Sequence, residues 1–319
     1  MALGWHPVRI LGILFICVVS ITVLVTWENV SIPSFDALAT IKDSIGSLAH
    51  RNSSLRKNAY QLDPPPEHPP YGAVIAAGRS NEDLTWMAFF RQNWTTFPYD
   101  VDNANNSNEA LRIPKNKGRE AMVYLSFIID NYESLPWCAI FVHGHSEAWH
   151  QDDTIVRLLG NLNRAALSRA GYISLRCDWY PSCPAEIRPM DHDAVVWGPG
   201  YLRDEAEAAI AGNWRQLFPG ERLPATIASP CCAQFAVTRQ AILRRPISDY
   251  KRVRQWLINT LLEDEVSGRV FEKLWAYMFT GEAVHCPPPQ KCSCKYFGHC
   301  MPKKWTPTPE GLPPLPDWP

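Results

Sequence analysis

The sequence has almost no net charge: 31 Lys and Arg stand against 32 Asp and Glu in 319 residues. That balance lacks the electrostatic footprint of a nucleic-acid binder, so no nucleic-acid partner is expected. No internal repeat is visible, which argues against solenoid and propeller architectures. No Walker-type phosphate loop is present. No simple retention address is found, so the organelle is left open. No A-x-A cleavage site lies close behind the one long apolar run; the nearest is Ala37-Leu38-Ala39. A removable signal peptide is therefore the weaker reading of that run.

The run is Ile10 to Thr26, 17 uncharged residues bounded by Arg9 and by Trp27-Glu28. Its length just spans a hydrocarbon core and suits the thinner membranes of the early secretory pathway. Arg9 precedes it while Glu28 and Asp36 follow. This bias keeps residues 1–9 cytosolic, makes 10–27 a signal anchor, and places the rest in a lumen. The expectation is a single-pass type II membrane protein of the endoplasmic reticulum or Golgi. Sequons at Asn29, Asn52, Asn93 and Asn105 fit a glycoprotein. Ten cysteines, nine beyond the anchor, fit an oxidising compartment, and the odd number leaves at least one outside an intramolecular pair.

Residues 28–70 read as a stem with a proline-rich spacer, and 302–319 as a proline-rich tail. In the stem, Leu38, Ile41, Ile45 and Leu48 make a narrow helical stripe, either a solvated helix or a weak coiled coil joining two copies. The body, 71–301, alternates strand and helix signals. Strands are predicted at 73–78, 137–144, 172–177 and 234–239. Helices are predicted at 81–93 with Asn81 as cap, 118–135, 152–171, 202–218, 249–262 and 268–279. The fold class expected is therefore a single lumenal α/β domain with a mainly parallel sheet and a disulfide-rich C-terminal segment.

Five stretches can carry chemistry. "FVHGHSEAWH" ends a buried strand in His143, His145 and His150, where α/β sheets place their ligands. Three neutral imidazoles suit zinc, copper or iron, although the spacing matches no known metal template. The bland alternative has one or two of them bonding loop backbone. "PKNKGRE" opens the clearest helix: Gly118 gives backbone access, while Arg119, Lys117 and the first-turn N–H groups favour a phosphate. Glu120 there complements the helix dipole. Asp191-His192-Asp193 is a D-x-D pair able to hold a nucleotide-bound divalent cation, but its apolar strand follows rather than precedes it. Cys286, Cys292, Cys294 and Cys300 read as disulfide cysteines, with Cys177 and Cys183 able to close a small loop and Cys231-Cys232 pairing elsewhere. Glu272, on an apolar helix, is either a catalytic base of raised pKa or an acid paired with a nearby Lys or Arg.

In order, "IPKNKGREAMVYLSFIIDNYESLP", "FVHGHSEAWH", "GYISLRC", "CCAQFAVTR" and "SGRVFEKLWAYMF" resemble the mainly fungal family catalogued as domain of unknown function 3431, over residues 70–301. One departure is the extra lysine in "PKNK". The opening Asn116-x-Gly118-Arg119-Glu120 is also similar to rhamnan-synthesis F type glycosyltransferases. That similarity implies a glycosyltransferase-A-like fold and a nucleotide-sugar donor with Mn or Mg. Three readings follow. The preferred one is a lumenal glycosyltransferase-like enzyme with a glycan or small-molecule acceptor. In it Asn116, Gly118, Arg119 and Glu120 hold the diphosphate, His143 and His145 line the sugar or metal position, and Glu272 or Asp178 is the base. The second is a metal-dependent oxidase or hydrolase with His143, His145 and His150 as ligands. The third is a non-catalytic lumenal scaffold.

Overall fold

Strand β1 (Ala73–Gly78) is a short apolar run buried almost throughout, as expected of a strand covered on both faces. It lies beside β2 (Thr95–Asp100) and β3 (Cys138–His143), and β5 (Phe235–Thr238) then separates β3 from β4 (Tyr172–Ser174). A computed structural model describes residues 63–103, 106–194, 202–308 and 310. The expected anchor at 10–27, the stem up to 62, the sequons Asn29, Asn52 and Asn105, and most of the tail lie outside the described residues. No helix among the described residues is long and apolar enough to cross a membrane.

The described residues form one α/β domain, but its sheet is not mainly parallel. β1 pairs parallel with β2 and β3, while β5 pairs antiparallel with β3 and β4. All four residues of β5 are buried. Burial on both faces is the usual signature of a parallel strand, so the composition of "FAVT" conceals its reversal.

Strand alternation feeds two cores. Ala73, Ile75, Ala139, Phe141, Phe235 and Val237 face helices α1 (Glu120–Asp130), α4 (Arg203–Leu217), α6 (Ile247–Asn259) and α7 (Asp264–Thr280). Val74, Ala76, Ile140, Val142 and Ala236 face the 3-10 turn Thr85–Phe90 and helices α2 (Ile155–Gly160), α3 (Arg164–Ala170) and α8 (Pro289–Phe297). A short helix α5 (Arg239–Ile242) follows β5 directly. Helix α1 is buried from Ala121 to Ile129, which explains its strong apolar pattern.

Several boundaries differ from the sequence expectation. Residues 81–93 form only the 3-10 turn, without an Asn81 cap. The expected helix 152–171 breaks at Asn161–Asn163 into α2 and α3. Thr154 caps the first, accepting from Arg157 N, and Asn163 caps the second, accepting from Ala166 N. Asp152 is not a cap, because its carboxylate accepts from Cys177 N at 2.7 Å. Strand β2 carries Pro98, which disguises it; an edge strand tolerates the missing N–H.

The disulfides are Cys177–Cys292, Cys183–Cys286, Cys294–Cys300 and the adjacent pair Cys231–Cys232. Cys177 and Cys183 do not close a loop on each other; each ties its segment to the C-terminal cysteine region. Cys138, in the middle of the sheet, is the free thiol among the described residues.

Candidate metal centre

β1 is flanked by β2 on one side and β3 on the other. The chain therefore leaves β1 in one direction and returns on the opposite side, opening a crevice at the carboxyl ends of β1 and β3. His143 is the last residue of β3, and its backbone N–H donates to Gln234 Oε1 at 3.2 Å. Gly144 follows because nothing larger fits: an added Cβ would stand 2.5 Å from Glu82 Oε2 and 2.7 Å from Gly78 Cα. Trp86 Nε1 donates to the Gly144 carbonyl at 2.8 Å and fixes the turn. The loop then folds back, with Ile155 N donating to Ser146 O and Gln151 N to Ala148 O, both at 3.0 Å.

This path gathers the three imidazoles. Ring centroids lie 5.1 Å apart for His143 and His145, 5.3 Å for His143 and His150, and 5.5 Å for His145 and His150. One nitrogen from each ring lies within 4.8 Å of the others, and no other such group occurs among the described residues. The Nε2 atoms of all three are buried without a hydrogen-bond partner. They do not bond loop backbone, as the bland alternative required. His145 Nδ1 faces Glu82 Oε1 at 3.6 Å, an arrangement that leaves Nε2 as the ligand atom. Burial, reinforced by the neighbouring rings, lowers His143 to about 3 and His150 to about 4. Both are therefore neutral at pH 7 and have a free lone pair. Three imidazoles so gathered can hold a transition metal and leave a coordination position open.

Two carboxyls behave differently from expectation. Burial acts to raise Glu272, but Lys273, Arg269 and the Cys232 N–H outweigh it and hold it down to about 2. Lys273 Nζ lies 2.8 Å from Glu272 and 2.9 Å from Glu186, and Cys232 N donates to Glu272 at 3.1 Å. Glu272 is thus not a base of raised pKa but a fixed negative charge, acting on both His143 and His150. The carboxyl raised toward neutrality is Glu120, pushed up to about 7 by burial and by the charge of Glu272. Asp178 accepts from Tyr180 N at 3.0 Å and from Thr306 Oγ1 at 2.9 Å, so both its oxygens are already engaged.

The 114–120 segment is largely engaged in packing. At Gly118, with φ +68°, an added Cβ would meet Leu257 Cδ1 at 2.6 Å, and Gly268 packs against its carbonyl. Arg119 pairs with Glu265 at 2.9 Å, Lys117 with Asp264 at 3.1 Å, and Asn116 Nδ2 donates to Asp102 at 3.1 Å. Asp191 and Asp193 both bind Arg188, at 2.9 and 2.6 Å, so this D-x-D is an ion-pair site for arginine. Asn93, the one described sequon asparagine, is exposed.

Sequence reasoning missed the wall beside the histidines. His150, Gln151, Arg176, Cys231, Cys232 and Gln234 line a tight recess there, with no room for a water molecule as it stands. The adjacent cysteines were a visible signal; Gln234 and Arg176 carried none.

Comparison with known proteins gives a family match. The family described as a protein of unknown function, DUF3431, matches residues 74–295. No curated protein and no solved structure matches the chain.

Proposed function

The chain belongs to the DUF3431 family, and we propose that it is a metal-dependent enzyme whose centre is His143, His145 and His150. One observation carries this reading: three buried Nε2 atoms, none with a hydrogen-bond partner, belong to rings gathered at the carboxyl end of the sheet. Buried polar atoms are rarely left unpaired, and three in one place call for a common ligand. The chemistry such a metal supplies is polarisation of a substrate oxygen or activation of a water. The chain's own residues do the rest. His143 and His150 stay neutral through burial, Gly144 lets the loop close on β1, and Glu272 supplies negative charge without binding. The donor set favours zinc, copper or iron over Mn or Mg, which prefer oxygen ligands.

The test is metal content. The purified full-length chain is expected to hold about one transition-metal ion per protein by elemental analysis, and His145→Ala to lose it while remaining folded. Metal-free protein that refuses zinc, copper and iron would end the reading.

A second reading is glycosyl transfer from a nucleotide-sugar to a glycan or small-molecule acceptor. It is supported by the crevice position, where open α/β sheets bind nucleotides. A diphosphate nucleotide that fails to raise the melting temperature, with or without metal, would count against it. Both readings keep the body lumenal behind an N-terminal anchor. The four disulfides favour that placement.

A further inference from the structure

Arg176 is 7% exposed, as buried as many core residues. The one other arginine this buried among the described residues is ion-paired. Arg188, at 6%, binds Asp191 and Asp193. The Arg203 side chain, at 12%, binds Asp204 and Glu207, and that of Arg245, also at 12%, binds Glu221 at 2.7 Å. Arg176 forms no ion pair within 4.0 Å among the described residues. Asp152 and Asp178 act on it only at longer range. Its Nη1 donates to the His150 carbonyl, and its Nε is buried without a partner. Beside it in the recess, Gln151 Oε1 is also buried and unpartnered, while Gln151 Nε2 donates to Gln234 at 3.3 Å. A charge withdrawn from water ordinarily comes with a counter-charge in contact, and here Asp152 and Asp178 act only from beyond ion-pair distance.

We propose that Arg176 is an anion-binding residue of the histidine centre: the substrate carries an oxyanion, carboxylate or phosphate, that accepts from the guanidinium while an adjoining atom reaches the open side of the imidazoles. Arg176 is tied to the carbonyl of His150, one of the proposed ligands, so the anion and the metal position share one wall. Gln151, fixed through Gln234, supplies an acceptor for a hydroxyl or a protonated oxygen beside the anion. The substrate class is thus an acid or phosphate ester rather than a neutral molecule. This rests on the metal reading for its chemistry but not for its test.

The experiment uses the full-length chain with disulfides intact. Inorganic phosphate, diphosphate and acetate are titrated at constant ionic strength, and metal content is measured on every sample. At least one anion is expected to bind, about tenfold more weakly to Arg176→Gln and with an intermediate loss in Arg176→Lys. Preference for phosphate over acetate, or the reverse, names the class. No binding by any of the three up to roughly 10 mM in the wild type overturns the proposal, a result that does not depend on a variant folding. Equal binding by wild type and Arg176→Gln overturns it as well. Arg176-dependent binding to protein that holds no metal keeps the anion site and removes the metal reading; metal without anion binding does the opposite.

Discussion

Among single residues, the sharpest contrast is between two glutamates. Glu272 sits on an apolar helix face, and the sequence offered either a raised pKa or a neighbouring cation. The cation was the next residue in the chain, Lys273. Glu120 looked like ordinary helix-dipole chemistry, yet burial makes it the carboxyl that titrates near neutrality. No pattern of residue types distinguishes these cases, because the answer depends on how deep each helix end sits. The Glu120 shift has a signed consequence. A carboxyl raised from 4.5 to about 7 is stabilising below pH 4.5, and that contribution is lost as pH rises through 7. Glu120→Gln should therefore gain on the order of 2 kcal/mol relative to wild type between pH 4.5 and pH 8. Denaturant melts of both proteins at the two pH values check it; parallel pH dependence would refute it.

At the level of elements, strands β1 and β3 and helices α1, α4, α6 and α7 were legible because each carries a long or continuous apolar signal. The direction of β5 was not, since a strand buried on both faces has the same composition either way. The gathering of the histidines was half legible. Their place at a strand end followed from "IFVH", but their convergence depends on Gly144 meeting Gly78 and Glu82, 62 or more residues earlier. Helix α7 contributes the other support through Lys273, which is 2% exposed and lies between Glu186 and Glu272. Lys273→Met would leave two buried carboxylates facing each other. Unfolding in urea should show a loss of about 3–5 kcal/mol, with part recovered in Lys273→Met/Glu272→Gln.

Across the whole molecule, the C-terminal segment is held by covalent ties as well as by the packing of α8 in the second core. Cys177–Cys292 and Cys183–Cys286 bridge 115 and 103 residues. Replacing both Cys183 and Cys286 by serine should cost about 2–4 kcal/mol, read as a lower denaturant midpoint with an equal or steeper slope, because the freed unfolded chain exposes more surface. The cysteine count foretold an oxidised protein with an odd thiol. It could not foretell the pairing, because which cysteines meet is decided by the fold between them.

The centre also has a history within each molecule's synthesis. Its three imidazoles come within eight residues, whereas Gln234 and Glu272, which brace and charge it, come 84 and 122 residues after His150. A growing chain therefore offers histidines to solution well before the pocket that selects their ligand exists. On the proposed metal reading, selection of the ion begins only when β5 and α7 dock, and is not set by the order in which the histidines emerge.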